Sequence, residues 1–254
     1  MKSIMVFNQK GGVGKSTTVG NLLAEFSKRG KKVLGIDIDG QGHLTKFLNV
    51  DTTGKNTVFE LLKKDATFLD TVCKTKYGDL IPSDNALQTN MLVFAQDPLF
   101  MYRIKSLLEE ISSIYDLVLI DCPPALNQVT LSALGGANYL IIPTETEKFS
   151  IDGVRQIIET VNSVKSQLNK DLKVLGLLIT KYHGRRLMTR SAEQLLESVA
   201  RDYFDSKLIK TRISFMADIP YSQAANLCVS DYKPKSKSAK EFSELAESIL
   251  AEVE

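Results

Sequence analysis

The segment Gln9–Thr18, QKGGVGKSTT, constrains the fold more strongly than any other part of this 254-residue sequence. The apolar run Ser3–Asn8 precedes it and is typical of a strand that is buried on both faces. A helical pattern follows from Lys15 to about Arg29, where Gly30 stops it. A glycine-rich turn between a strand and a helix brings backbone N–H groups and the positive end of the helix close to a bound anion. The sequence therefore predicts a phosphate-binding loop in an α/β fold.

The side chains of this loop have the types and the order that a Mg²⁺-bound nucleotide triphosphate requires. We expect Lys15 to reach the β- and γ-phosphate oxygens and Ser16 to offer its hydroxyl to Mg²⁺. Thr17 is expected to contact the α-phosphate. The backbone that approaches the phosphates is supplied by Gly11, Gly12, Val13 and Gly14.

Short apolar runs alternate with amphipathic helical patterns along the rest of the chain. Apolar stripes with helical spacing extend from Met101 to Ile114 and from Val154 to Leu168. Further strands are predicted at Val33–Asp39, Leu117–Asp121, Tyr139–Pro143 and Val174–Thr180. This alternation predicts a mostly parallel sheet with helices on both faces. No linker, repeat or low-complexity tract divides the sequence, so we expect a single domain over residues 1–254.

Three aspartates end predicted strands at the edge where ligands of such sheets bind. Asp37 and Asp39 close the second strand, and their spacing places both side chains on one side of it. Near a Mg-triphosphate, one can hold metal-bound water and the other can orient the attacking water. Asp121 ends the apolar strand of YDLVLIDCPPAL, an arrangement that places a carboxylate beside Mg²⁺. The spacing therefore predicts Ser16, Asp121 and one of Asp37 and Asp39 as metal-associated residues.

Composition narrows the class of protein further. The three cysteines lack the spacing of a metal site and suit reduced thiols in a cytosol, and no apolar run reaches the length of a membrane span. The net charge of +2 conceals a basic half, because residues 165–240 carry 15 Lys and Arg against 7 Asp and Glu. Composition alone leaves two interpretations open: a polyanion-binding face or, more simply, an unevenly charged solvated surface.

The loop also matches a narrower pattern, K-G-G-x-G-K-[ST], and here the sequence resembles the deviant Walker A ATPases. That family includes the ParA/Soj partition proteins, MinD and the nitrogenase iron protein, and IDCPPALNQVTLSAL and IIPTETEKFSIDGV are also similar to it. The resemblance implies ATP and Mg²⁺ as cofactors. It further implies that Lys10 crosses the interface of an ATP-bound homodimer to the phosphates held by the partner subunit. Lys10 and Lys15 would then act in catalysis with Asp39, the carboxylate that polarises the attacking water. The resemblance likewise implies that Asp37 is the Mg²⁺-associated residue of the pair.

Two residues depart from the D-x-D-P-Q-G-N sequence that is usual in the family. Gly40 replaces the proline and His43 replaces the asparagine. We expect Gly40 to loosen the turn and His43 to place a titratable group near the nucleotide. Both departures are expected to change the rate of hydrolysis rather than abolish it.

The C-terminal half resembles the ParA/Soj branch in particular, in LLITKYHGRRLMTR and in the segment that begins KTRISFMADIPYS. The resemblance implies a DNA-binding arginine at Arg185, with Arg186 and Arg190 close by. A second family arginine falls on Phe215, which carries no charge. Phosphate contacts without sequence information are expected instead from Lys210, Arg212, Lys233, Lys235 and Lys237.

The adenine is expected between the end of the Val174–Thr180 strand and the loop after Leu208–Thr211. The candidate contacts there are Thr180, Lys181, Thr211 and Arg212.

The function that the resemblance implies is DNA partition by a weak, Mg-dependent, cytoplasmic and nucleoid-associated ATPase. Its ATP-bound dimer would bind double-stranded DNA non-specifically, and a ParB-like centromere-binding protein would stimulate hydrolysis. A MinD-like membrane-cycling ATPase is one alternative, but it needs a basic amphipathic C-terminal helix, and this chain ends in the acidic KEFSELAESILAEVE. We therefore expect no membrane partner. A regulatory ParA homologue that hydrolyses little ATP is the other alternative.

Overall fold

The structure is a computed structural model that describes residues 1–146, 151–183 and 188–254, without the side chains of 151–155 and 188–190. Seven strands form one sheet within this part of the chain, in the order β3-β4-β2-β5-β1-β6-β7. Their bounds are β1 Lys2–Val6, β2 Val33–Asp37, β3 Cys73–Thr75, β4 Gly78–Ile81, β5 Leu117–Asp121, β6 Tyr139–Thr144 and β7 Lys173–Ile179. All neighbouring strands are parallel except the β3–β4 pair, which is antiparallel.

Helices cover both faces of the sheet. The described helices are α1 Lys15–Lys28, α2 His43–Phe47, α3 Val58–Lys63, α4 Phe68–Thr71, α5 Asn85–Thr89, α6 Arg103–Glu110, α7 Gln128–Gly136, α8 Ile151–Gln167, α9 Met188–Phe204, α10 Asp218–Ala224, α11 Val229–Tyr232 and α12 Lys237–Val253. Two short 3₁₀ segments, Met91–Gln96 and Phe100–Tyr102, lie between α5 and α6. The predicted fold class, a mostly parallel sheet with helices on both faces, is confirmed.

The strand residues alternate between two hydrophobic cores. Ile4 and Val6 of β1 pack in the core beneath α1 and α12, whereas Met5 of β1 and Phe7, the residue after the strand, belong to the core on the other face. All four side chains are fully buried, as the continuous apolar run predicts.

The apolar stripe of α12 is used for packing within the domain. Phe242, Leu245, Ile249 and Val253 are all buried, and α12 packs along α1. The Arg29 guanidinium strengthens this contact by donating hydrogen bonds to the carbonyl and hydroxyl oxygens of Ser243. None of the helices described is long and apolar enough to cross a membrane.

Three sequence predictions differ from the observed elements. The second strand ends at Asp37 rather than at Asp39, because the Asp39 N–H turns back to donate to Asp37 Oδ1 at 3.0 Å. The helix predicted over Met101–Ile114 is shorter, since 3₁₀ turns precede it and it ends at Glu110, which leaves Ile114 exposed. The strands β3 and β4 were not predicted, because runs of three and four residues are too short to show a period.

Parallel pairing brings the predicted site residues to one edge of the sheet. Asp37 and Asp121 are direct register partners at the ends of β2 and β5, and Asp121 also pairs with Val6 at the end of β1. The glycine-rich loop continues from that end of β1 into α1. The three chemistry-bearing segments therefore meet at the carboxyl edge of the sheet, where such folds bind ligands.

Candidate functional site

The glycine-rich loop is shaped by two left-handed glycines and one asparagine. Gly12 and Gly14 have φ values of +76° and +84°, a region that favours glycine, and Gly14 directly precedes α1. Asn8 donates to the Pro143 carbonyl at 2.7 Å and accepts from the Lys10 N–H at 2.9 Å. Asn8 thus connects the start of the glycine-rich loop to β6. Sequence reasoning missed it, although a polar residue at the end of an apolar strand was the available signal.

The Lys15 ammonium group lies within the curve of the loop. It donates to the Asn8 carbonyl at 3.2 Å and to the Lys10 carbonyl at 3.1 Å, and only 7% of the residue is exposed. Burial lowers the pKa of Lys15, and the nearby Asp121 carboxylate opposes this shift. A buried cation held only by neutral carbonyls and aimed into a cavity is arranged to meet an anion.

A cavity of about 800 Å³ opens in front of the loop. Five predicted phosphate-contacting residues line it, namely Gly11, Gly12, Gly14, Lys15 and Thr17, and so does Ser16, the predicted Mg²⁺ contact. Val13 points inward and is buried. Asp39 and His43 also line it, as do Gln41, Lys46, Gln88, Met91, Pro124, Asn127, Lys181, Gln223 and Asn226 among others. Most of the residues in this last group were not predicted, because they come from five separate segments that only the fold brings together.

Asp37 is completely buried and hydrogen-bonded. Its Oδ2 accepts from the Thr45 N–H at 2.9 Å and from the Thr45 hydroxyl at 2.8 Å. Burial raises the pKa of Asp37 to about 6 against the lowering effect of the Thr45 hydrogen bonds. Asp37 does not line the cavity, whereas Asp39 does. The expectation that the two carboxylates share one side of a strand is wrong, because the strand ends between them.

Asp121 has the opposite environment. It is completely buried, and neither carboxylate oxygen accepts a hydrogen bond of ordinary geometry from any residue that the structure describes. Burial and the neighbouring Asp37 carboxylate raise the pKa of Asp121 well above its usual range, although the Ser16 hydroxyl and Lys15 lower it in part. A buried carboxylate without a partner is costly unless a cation or a bound water completes its environment.

These residues fit a magnesium ion held together with a phosphate ligand. No cluster of three or more His, Cys, Asp or Glu side chains that could enclose a metal occurs among the described residues. Mg²⁺ usually keeps several waters and binds through one or two carboxylates plus substrate phosphates, so a protein-only cage is not required. The unpartnered Asp121 carboxylate beside the Ser16 hydroxyl has the chemistry of such a half-site.

The predicted adenine contacts lie in two different environments. Thr180 is buried, and its hydroxyl donates to the Val13 carbonyl at 2.9 Å, which ties the end of β7 to the loop. Lys181 lines the cavity next to Gly12, has a left-handed backbone with φ +49°, and pairs with the buried Glu145 at 2.9 Å.

Thr211 and Arg212 do not line this cavity. Arg212 is held by Glu193 at 2.7 Å and lies over the ring of Tyr182 at 5.6 Å. Gln223 instead reaches the loop, because its side-chain amide donates to the Thr17 hydroxyl at 2.9 Å. The adenine contacts of all four residues therefore remain predictions.

The predicted DNA-binding residues are only partly described. Arg185 and Arg186 lie outside the described residues, as does the side chain of Arg190. Lys210, Lys235 and Lys237 are exposed, and Lys237 lies 3.5 Å from Glu241. Lys233 pairs with Asp218 at 2.9 Å.

The uncharged residue of this region, Phe215, is 60% exposed and packs against the ring of His183 with centroids 4.9 Å apart. The segment that carries Phe215 is anchored to α12, because the buried Glu241 accepts hydrogen bonds from the N–H and hydroxyl of Ser214 at 2.9 and 2.6 Å. The basic segment around Arg212 therefore has a defined position relative to α12.

The departure at Gly40 does not loosen the turn as expected. A Cβ atom added to Gly40 would lie 2.7 Å from Gln88 Cβ and 2.9 Å from Gln88 N, so this turn packs tightly against α5. His43 lies at the cavity wall with its Nδ1 3.9 Å from Asp39 Oδ2.

Comparison with known proteins gives a family for this arrangement. A family model described as an AAA domain matches residues 1–174. The chromosome-partitioning ATPase Soj of Treponema pallidum is 34% identical and covers 98% of this chain and 97% of its own length. The solved structure of cobyrinic acid a,c-diamide synthase from Mycobacterium smegmatis, with an ATP analogue and magnesium bound, has a TM-score of 0.84 at 30% identity over 98% of this chain and 94% of that one.

The septum site-determining protein MinD of Pyrococcus horikoshii, in complex with Mg-ADP, has a TM-score of 0.78 at 26% identity over 98% of this chain and 97% of that chain. Together with the glycine-rich loop, the buried Lys15 and the aspartates at the carboxyl edge, these matches identify the family. The chain belongs to the ParA/Soj family of P-loop, AAA-domain ATPases.

Proposed function

We propose that the protein is a DNA-partition ATPase that binds Mg-ATP in the 800 Å³ cavity and hydrolyses it slowly. The observation that carries this proposal is the pair formed by Lys15 and Asp121. Among the described residues, the buried Lys15 ammonium group has hydrogen bonds to carbonyls only, and the buried Asp121 carboxylate has no hydrogen bond of ordinary geometry. Lys15 lies at the end of the loop and Asp121 at the end of β5. A metal-bound triphosphate supplies an anion to the first and a cation to the second.

Loop and cavity residues supply the binding interactions. The left-handed Gly12 and Gly14 turn backbone N–H groups toward the phosphates, and Lys15 exchanges its carbonyl partners for phosphate oxygens. Ser16 and Asp121 would hold a magnesium ion there, and Asp37, the register partner of Asp121, is the third residue proposed to be associated with it. When bound, Mg²⁺ neutralises charge on the β- and γ-phosphate oxygens.

Asp39 is the candidate for orienting the attacking water. It lines the cavity, and its Oδ1 accepts from the Gln41 N–H at 3.0 Å, which fixes the direction of the carboxylate. Lys10 is half-buried, and its backbone N–H and carbonyl are both used to shape the loop. We assign it to the phosphates of a second subunit in an ATP-bound homodimer, where a cation supplied in trans is worth about 10³–10⁵ in rate in related reactions.

The basic C-terminal half is proposed to bind double-stranded DNA without sequence preference. Its exposed lysines include Lys210, Lys235 and Lys237. The Ser214–Glu241 hydrogen bonds hold the chain between the first and the second of these lysines in place. Contacts of this kind reach phosphates and are weakened by salt. Arg185, Arg186 and Arg190 extend this surface in the proposal, which would make the protein nucleoid-associated. A ParB-like protein is the proposed partner that stimulates hydrolysis.

A membrane-cycling role is the alternative that the MinD likeness raises. The observation against it is α12, whose apolar stripe is already buried against the domain. A helix that binds lipid needs a free apolar face and a basic polar face. We therefore favour DNA over lipid as the surface to which the ATP-bound protein attaches.

Co-sedimentation with DNA in ATP, in ADP and without nucleotide tests the proposal. We expect wild type to sediment with DNA only in ATP and Lys10→Ala to lose most of this binding, because the dimer loses its bridging cation. Lys55→Ala, in an exposed lysine outside the basic region 165–240, is the matched control and should behave as wild type. Binding that is independent of nucleotide would contradict the proposal. ATP turnover measured with and without DNA separates a working ATPase from a regulatory homologue that hydrolyses little ATP.

A further inference from the structure

The loop that carries Asp39 is unusual in how closely it approaches a second segment. Residues 38–42 connect β2 to α2, and the segment 83–88, which runs from the end of β4 into α5, packs directly against them. Gly40 lies so close to Gln88 that an added Cβ would be 2.7 Å from Gln88 Cβ. Gly42, with φ +60°, would place a Cβ 2.8 Å from the Ser83 carbonyl.

Hydrogen bonds join the same two segments. The Gln41 side-chain amide donates to Gln88 Oε1 at 2.6 Å, and the Ser83 N–H donates to the Thr45 hydroxyl at 2.9 Å. Thr45 in turn donates that hydroxyl to Asp37. The segment 83–88 thus contacts the second half of the Asp39 loop and the first turn of α2.

The two glycines have different reasons for being glycine. Gly42 needs its left-handed backbone, which a larger residue adopts only with strain. Gly40 does not have a positive φ, so an alanine there would meet no backbone strain. The three atoms nearest to an added Cβ all belong to Gln88 of α5. Residue 40 is therefore small because α5 occupies the space where a side chain would lie.

We propose that α5 is a positioning element for the Asp39 carboxylate and that Gly40 is the residue that lets it dock. Both Gln88 and Asp39 line the cavity, so a shift of α5 would move the wall from which Asp39 faces the γ-phosphate position. The loop that surrounds Lys15 lies on a different segment and makes none of these contacts. The inference rests on the proposed function only in assigning Asp39 to the attacking water.

The main test substitutes Gly40→Ala and compares it with Gly135→Ala. At Gly135 in α7 the backbone is also free of positive φ, and an added Cβ would meet nothing closer than 3.6 Å. For Gly40→Ala we expect kcat for ATP to fall about 10-fold to 100-fold, because displacement of a reacting group by about 1 Å has effects of that size. KM and the Kd for a fluorescent ATP analogue should stay within about twofold, since the phosphate loop is untouched. Gly135→Ala should match wild type in both.

Amide hydrogen exchange without nucleotide provides a second readout that does not depend on hydrolysis. Residues 83–89 should exchange faster in Gly40→Ala than in wild type, while α1 should exchange at the same rate. If wild type shows no hydrolysis, the proposed function fails, and the exchange rates alone decide whether α5 docks as inferred. Unchanged exchange at 83–89, unchanged kcat, or loss of nucleotide binding together with kcat would each overturn the inference.

A further pair of variants tests whether the hydrogen bond between the Gln41 and Gln88 side chains contributes to the positioning of the Asp39 loop. Gln88→Ala keeps the Cβ that packs on Gly40 but removes the acceptor for Gln41, so a smaller fall in kcat of about twofold to fivefold is expected. Gln41→Ala should give the same fall, and the double variant should fall no further, because both changes remove one bond. Fully additive effects would contradict a shared positioning contact.

Discussion

Two clusters of charged side chains lie at opposite edges of the sheet and differ in how completely they are partnered. At the amino edge, Asp231 of α11 accepts from Lys28 and Lys76 at 2.6 Å and from the Tyr77 hydroxyl at 3.0 Å. At the carboxyl edge, Asp121 has no such partner among the described residues, although it is more deeply buried.

The pKa shifts of the two aspartates have opposite directions, in line with this difference in partners. Partial burial acts to raise the pKa of Asp231, but the hydrogen bonds from Lys28, Lys76 and Tyr77 outweigh it and lower the pKa to about 2. Burial and Asp37 raise the pKa of Asp121 well above its usual range. The amino-edge cluster is complete within the folded chain, so its role is to hold α11 against α1 and the β3–β4 turn. The carboxyl-edge cluster is incomplete without a ligand, which is the mark of a binding site.

The largest expected effect comes from removing the cation of the incomplete cluster. Lys15→Ala should lower the rate of ATP hydrolysis by about 10³-fold, because charge on the transferring phosphoryl group loses its nearest ammonium group. Phosphate release at saturating Mg-ATP measures this, and Lys240→Ala serves as the control. Retention of near wild-type turnover by Lys15→Ala would place the reaction elsewhere.

Removing the charge of Asp121 should separate stability from function. Asp121→Asn is expected to increase the free energy of unfolding of the ligand-free protein by about 1–3 kcal/mol, since an unpartnered buried charge is lost. Urea unfolding at pH 7.5 measures it. The same variant should lose most of the stabilisation that Mg-ATP gives to wild type. If Asp121→Asn instead destabilises the ligand-free protein, the carboxylate has a partner in solution and the contrast between the clusters fails.

The smallest effect is expected in the complete cluster. Asp231→Asn should lower the free energy of unfolding at pH 7 by about 1 kcal/mol, a value kept small because exposed Lys76 is screened by solvent. Because the pKa of Asp231 is lowered in the folded state, its stabilisation is present above about pH 4 and is lost as the pH falls toward 2.

Urea unfolding of wild type and Asp231→Asn at pH 7 and pH 3 measures this difference, which should shrink at the lower pH. ATP hydrolysis at pH 7 should be unchanged. A loss of hydrolysis in Asp231→Asn would show that the amino-edge cluster is not purely structural.

The contrast also explains how much could be predicted from the sequence. The loop, α1 and the strand ends at Asp37 and Asp121 are local patterns, since each combines a short apolar run with residues that follow it directly. The elements that carry the phosphate-binding half of the site were therefore predictable from the sequence, with their ends correct to within two residues.

The remaining parts of the site are formed by long-range contacts that leave no local pattern. Gln223 reaches Thr17 across 206 positions, and Gln88 closes on Gly40 from a five-residue helix. The amino-edge cluster was missed for the same reason, because Tyr77 lies beside strands that are too short to show alternation and meets Asp231 across 154 positions. Gly40 shows this limit of sequence-based prediction most clearly. A glycine in a turn predicts a loose turn, and the sequence does not show that Gln88 packs against it.

The most direct test of the central claim is the thermal unfolding midpoint of wild type with Mg²⁺ alone, ATP alone and both together. If the carboxyl-edge cluster is completed by a metal-bound triphosphate, both ligands at about 100 times their Kd should add about 2.7 kcal/mol and raise Tm by about 5–10 °C. Each ligand alone should give a much smaller rise, and EDTA should reverse most of the combined effect. An unchanged Tm with both ligands present would contradict the account.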